Sequence, residues 1–218
     1  MRISHFLSLL LIEIIIFLPQ QSPLFASSDT STGSVTFYGV GADDIKTTAS
    51  EKLAALGFDC GTAKSGYLGI RTIQDRTPSL KSNEKIRELA SIDDDLKEFG
   101  KGLDYEEKPI NVLVCSPLKD NPFKSSIYFF SKFDQKILAI QTEIEKIEPV
   151  KERLTSKFGE CISKGYCENN ESILILSRNR PWSLNIFFFE NIKSHYKNLK
   201  NLKAEKDKKQ NEQLNKAF

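Results

Sequence analysis

Histidine is nearly missing from this chain. Of the two in 218 residues, His5 lies in the apolar N-terminal stretch and only His195 lies beyond it. Ser–His and Cys–His nucleophilic chemistry needs a base held rigidly beside the nucleophile. His195 stands in a Lys-rich C-terminal segment, where it reads as an exposed helix residue outside the main domain, a poor base for such chemistry. The chain also has no G-x-S-x-G, no Gly-rich phosphate loop, no H-E-x-x-H and no C-x-x-C, so hydrolase, nucleotide and zinc signatures are missing. No catalytic, cofactor-binding or metal site is expected, and the chain is read as a non-enzyme. The Lys-rich tail, Lys193 to Lys216, holds no arginine, which weakens the case for specific phosphate recognition by it; no nucleic-acid partner is expected.

Long apolar runs are also scarce, with one exception at the start. Arg2 precedes Phe6 to Leu18, Pro19 and Pro23 then break any helix, and Leu24-Phe25-Ala26-Ser27-Ser28 supplies small residues for cleavage. That is the layout of a secretory signal peptide over residues 1–26. As a helix, Phe6 to Leu18 would span only about 20 Å of a hydrocarbon core of roughly 30 Å, and it contains Glu13, so no stable membrane anchor is expected. No Cys follows the stretch as a lipid-attachment point. The mature chain is therefore placed in the periplasm or outside the cell, and high Lys, Ile and Asn usage fits an AT-rich bacterial genome.

The charge is unevenly spread. Residues 191–218 hold eight Lys against Glu205, Asp207 and Glu212, a net of +5, which leaves −3 on residues 27–190. A small polar lead-in (27–34), an α+β domain (35–190) and a Lys-rich helical or disordered tail (191–218) follow from this division. In the tail, Ile192, Tyr196 and Leu199 mark a stripe that docks on the domain.

All four cysteines, Cys60, Cys115, Cys161 and Cys167, lie beyond the signal peptide. An even count in an exported chain reads as disulfides. Cys161 and Cys167 are close in sequence and suit a local bridge, which pairs Cys60 with Cys115; crossed pairs such as Cys60–Cys161 are the competing arrangement.

Strands are expected at Val35 to Val40, Tyr67 to Ile73, Ile110 to Cys115, Ser126 to Phe133, Lys136 to Gln141, Ser172 to Ser177 and Trp182 to Phe189. Asp134-Gln135 links one pair as a tight hairpin and Arg178 to Pro181 turns between another. Helices are expected after Asp43 or Asp44 (inward face Ile45, Ala49, Leu53, Leu56), after Ser82 or Asn83 (Ile86, Leu89, Ile92, Leu96, Phe99), and around Pro149 (Val150, Leu154, Phe158). Gly57, Gly100 and Gly102 end the first two. Short turns between neighbouring strands argue for an α+β fold, with an antiparallel sheet and helices packed mainly on one face. Leu53 to Cys60 and Leu154 to Cys161 share a helix end, a Gly, an acid and a Cys, the mark of two degenerate helix–hairpin repeats.

A helix ending in Leu154, Lys157-Phe158-Gly159, followed by a hairpin near Trp182, resembles the small bacterial envelope domains of the SmpA/OmlA and β-lactamase-inhibitor-like type, over residues 143–190 with a fainter copy at 39–75. The resemblance implies two short helices on a curved antiparallel sheet and binding of other proteins. The missing lipid-attachment Cys removes the tethering that goes with it.

Two features remain. Asp93-Asp94-Asp95, with Tyr105-Glu106-Glu107 beyond it, reads as a solvated face, because three consecutive Asp fan around a helix turn and do not converge. Tyr128-Phe129-Phe130 and Phe187-Phe188-Phe189 put aromatics on both faces of a sheet, one of which must be core. Trp182, Tyr128, Phe130 and Phe188 are the partner-binding candidates, and the partner is expected to be another protein. The function expected is a protein-binding module without catalysis. A host-directed secreted effector or a carboxylate-dependent envelope hydrolase are the alternatives.

Overall fold

The computed structural model describes residues 35–63, 67–101, 108–117, 121–177 and 181–217. The signal peptide and polar lead-in, and residues 102–107 and 178–180 of the expected turns and acidic run, lie outside them.

The chain is an α+β fold around one antiparallel sheet. In order it runs α1 (Lys46–Ala55), β1 (Asp59–Ala63), α2 (Ile70–Arg76), a 3-10 turn (Pro78–Leu80), α3 (Glu84–Gly100), β2 (Ile110–Ser116), β3 (Phe123–Ser131) and β4 (Ile137–Ile144). It continues with α4 (Ile147–Phe158), a second 3-10 turn (Gly159–Lys164), β5 (Tyr166–Glu168), β6 (Ser172–Ser177), β7 (Trp182–Phe188) and α5 (Phe189–Ala217). The seven strands lie in the order β1-β2-β3-β4-β7-β6-β5.

Side chains alternate across the pleat, so each central strand feeds two cores. Leu113, Tyr128, Phe130, Ile140, Ile186 and Phe188 join Ala49 and Leu53 of α1 and Val150 and Leu154 of α4. Val112, Phe129, Ala139, Ile173, Ile175 and Phe187 join α2, α3 and α5 through Ile70, Leu89, Leu96 and Ile192. Helices therefore cover both faces of the sheet rather than mainly one. That is why the Tyr128-Phe129-Phe130 run is apolar throughout.

The two helix-then-strand units do not form a repeated fold. α1 and α4 pack on the same face, and β1-β2-β3 and β5-β6-β7 run in matching directions. Yet the two triplets are laid out in opposite order across the sheet. A reflection would relate them and a rotation cannot. What they share is helix-ending chemistry, with Gly57 (φ 80°) and Gly159 (φ 63°) in positive-φ backbone.

Local signals account for most elements. Asn83 caps α3 by accepting the Ile86 amide at 2.9 Å. Pro149 sits in the first turn of α4. Asp44 braces α1 from outside: its carboxylate accepts from the Gly41 amide, the Thr48 hydroxyl and the Lys52 ammonium, while Ile45 is the N-cap and lies exposed, off the inward stripe.

Three expected elements are corrected. Val35 to Val40 is not a strand but a turn closed by Phe37 and Val40, with Tyr38 (φ 53°) and Gly39 (φ 75°) at its centre. Tyr67 to Ile73 is not a strand, because α2 starts at Ile70 behind Gly69, whose φ is 69°. The β3–β4 link takes five residues, Lys132 to Lys136, with Gln135 at φ 59° and the Ser131 amide donating to the Lys136 carbonyl.

Candidate functional site

Trp182 opens β7, opposite Ile144 of β4, on the α1/α4 side of the sheet. Its ring is half-buried and forms one wall of a depression of about 320 Å³, lined also by Lys151, Ile162 and Leu176. Each wall has a separate support. Leu176 is on β6, pinned in register beside β7. Lys151 projects from α4, whose Val150 and Leu154 are buried beneath it. Ile162 belongs to the 3-10 turn, which the Cys161–Cys167 disulfide ties to edge strand β5. The Leu176 amide also donates to Gly165 at the end of that turn. Among the described residues the result is an apolar hollow with the Lys151 ammonium on its rim and walls fixed by a sheet, a helix and a covalent bridge.

Of the four aromatics read as partner-binding, only Trp182 reaches the surface. Tyr128, Phe130 and Phe188 are at most 1% exposed, inside the same core that underlies the hollow. They are corrected to core residues; with helices on both faces, neither side of those strands is left open. Lys151, Ile162 and Leu176 went unread in the sequence. The one available signal was Ile162 between two cysteines that bridge locally.

Both disulfides pair as the spacing suggested, Cys60 with Cys115 and Cys161 with Cys167. Cys60 and Cys115 sit directly opposite each other in the β1–β2 register.

The acidic run is a solvated face only in part: Asp95 is exposed and Asp94 half-exposed, but Asp93 is not. Asp93 is fully buried and accepts from the Ile70 amide at 2.9 Å, with the Lys97 ammonium 3.5 Å away. Burial raises its pKa, and Lys97 and the α2 amides oppose that rise only in part. Asp94 pairs with Arg71 at 2.8 Å, and Asp95 accepts from the Tyr196 hydroxyl. The three carboxylates diverge to fasten α3 to α2 and α5, and they do not converge on a common point.

His195 is likewise corrected, from exposed to fully buried. Its Nδ1 lies 3.0 Å from the Ser131 hydroxyl, and the Phe133 ring packs 5.2 Å away. Desolvation pulls its pKa down to about 4, against a weak upward pull from Asp134. Ser131 is also fully buried, so the pair has no opening to a substrate and acts as a latch between α5 and the β3–β4 hairpin. Asn191, one turn earlier, donates to the carbonyls of Ala42 and Ile137.

Among the described residues no helix is long and apolar enough to cross a membrane, and no cysteine is free. No family model, curated protein or solved structure matches this chain.

Proposed function

We propose that the chain is an exported, disulfide-stapled module that binds another protein through the Trp182 hollow. The observation that carries this reading is the indole itself. It is the lone tryptophan of the chain, half-exposed beside Ile162 and Leu176 on a support that cannot readily collapse over it. Rigid aromatic surface next to an apolar depression is the usual chemistry of an interface anchor. An aliphatic or aromatic side chain of the partner fills the hollow, and an acidic group next to it meets Lys151 on the rim. Two bridged cysteine pairs support an oxidising compartment, periplasmic or extracellular.

A photo-activatable residue in place of Lys151, in the chain exported by its own cell, tests the reading. A single discrete protein adduct, lost when Trp182→Ala is added, is expected. An adduct unaffected by Trp182→Ala would place the contact elsewhere. Turnover of an envelope substrate, lost on changing one carboxylate, would overturn the non-catalytic role.

A further inference from the structure

Asn170 stands at the tip of the β5–β6 turn, and the fold gives it no task. Its neighbour Asn169 shapes that turn. The Asn169 Oδ1 accepts from the Glu171 amide at 2.9 Å, the Ser172 amide at 2.7 Å and the Ser172 hydroxyl at 3.2 Å, the usual use of asparagine in a turn. Asn170 is exposed, and among the described residues no hydrogen bond holds its carboxamide.

The sequence singles out the same residue on separate grounds. Of twelve asparagines, Asn170 alone is followed by a residue other than proline and then by Ser or Thr, as Asn170-Glu171-Ser172. That triplet is the acceptor pattern for N-linked glycosylation, which is made on surface loops of exported proteins. A pattern this short needs its structural context, and the context is met: the asparagine is the exposed tip of a turn, not a strand or core residue. Both cysteine pairs are bridged, as in the oxidising compartments that exported chains enter.

We propose that Asn170 carries an N-linked oligosaccharide, transferred as the chain enters its oxidising compartment. The donor is an oligosaccharide held by its anomeric carbon on a lipid pyrophosphate. The Asn170 Nδ2 forms a bond to that carbon, and the bond from the carbon to the pyrophosphate oxygen breaks. The amide releases one proton, the lipid pyrophosphate leaves with the electron pair, and nothing is oxidised or reduced. In the folded chain the Ser172 hydroxyl, part of the acceptor pattern, is buried and bonded to Asn169. Transfer therefore precedes the pairing of β6 with β5 and β7, and the sugar is left outside when the turn closes. Ser172 to Leu176 is about 13 Å along β6, so the sugar stands clear of the Trp182 hollow. The inference rests on the proposed export and not on that hollow.

The chain is recovered from its own cell and sorted by the state of its cysteines, so that a failure of export is not mistaken for a failure of transfer. In the disulfide-bonded form the intact mass should exceed that of the mature sequence by an oligosaccharide. Fragmentation of the peptide spanning the β5–β6 turn should place the whole addition on Asn170. Asn170→Gln, a change at an exposed site, should fold with the melt of an unglycosylated wild-type chain and lose the addition completely. Ser172→Ala should lose it too, whereas Ser172→Thr keeps the acceptor pattern and should keep the sugar. Three results would each overturn the proposal: a bridged chain with the bare mass of its sequence, an addition that survives Asn170→Gln, or one that survives Ser172→Ala. A chain found only in the reduced form would overturn the export beneath the proposal, and the proposal with it.

Discussion

Asp93, on the third helix, accepts the amide hydrogen of Ile70, 23 residues earlier, and so caps a helix to which it does not belong. Gly69 at the N-cap of α2 has no side chain with which to do this. Replacing Asp93 by Ala strips the cap and leaves a buried amide without a partner, at a cost of about 2 kcal/mol. The midpoint of urea unfolding should fall with an unchanged slope, and the amides of the first turn of α2 should exchange faster than the rest. Uniform exchange across the chain would contradict this capping role.

His195 sets an acid limit on stability. Its pKa falls from 6.5 to about 4 on folding, so the folded protein favours the neutral ring. Its contribution is complete above pH ~6.5 and is lost as pH falls toward 4, with a full span of about 3 kcal/mol. In urea melts at pH 7 and pH 4.5, the wild type should lose more stability than His195→Gln. Equal losses in the two proteins would show that the ring already carries a proton when folded.

The disulfides should contribute unequally. Cys60–Cys115 closes a sequence separation of 55 and Cys161–Cys167 one of 6. In the chain-entropy picture these are worth about 4 and about 2 kcal/mol. Double Cys→Ser variants of each pair, compared by denaturant melts, should keep that order. The Cys161/Cys167 variant should also loosen the Ile162 wall and shift Trp182 fluorescence, while the Cys60/Cys115 variant leaves that emission alone. The reverse pattern of emission would remove the local bridge from the support of the hollow.

The elements that could be read in the sequence are those whose signals are local. Asn83 followed by apolar residues at helical spacing marks α3, and Cys161 and Cys167 are close enough to suggest their own bridge. Val35 to Val40 alternates like a strand, yet Tyr38 takes positive φ against its steric preference, held there by its buried ring and by its hydroxyl against Asn121. Tyr67 to Ile73 carries no local helix-start signal, because the cap of α2 comes from Asp93, 23 residues later. His195 looked solvated because its chain neighbours are polar, and only the docking of α5 against the β3–β4 hairpin buries it. For the hollow, Trp182 stood out by its rarity and by its place just after a turn. Lys151, Ile162 and Leu176 lie on three other elements and meet it only in the folded sheet. The runs around Tyr128 and Phe188 left core and surface open until helices were placed on both faces.

On the proposed reading, Trp182 anchors a protein partner while the aromatics beneath it only hold the fold. That reading is tested most directly by measuring the affinity of the partner cross-linked at position 151 for Trp182→Ala, beside urea melts of the same protein and of Phe188→Ala. Trp182→Ala should bind at least ~2 kcal/mol more weakly and remain folded with a melt close to the wild type. Phe188→Ala should lose ~3–5 kcal/mol of stability and bind normally under conditions where it is folded. A folded Trp182→Ala protein with wild-type affinity would contradict the account.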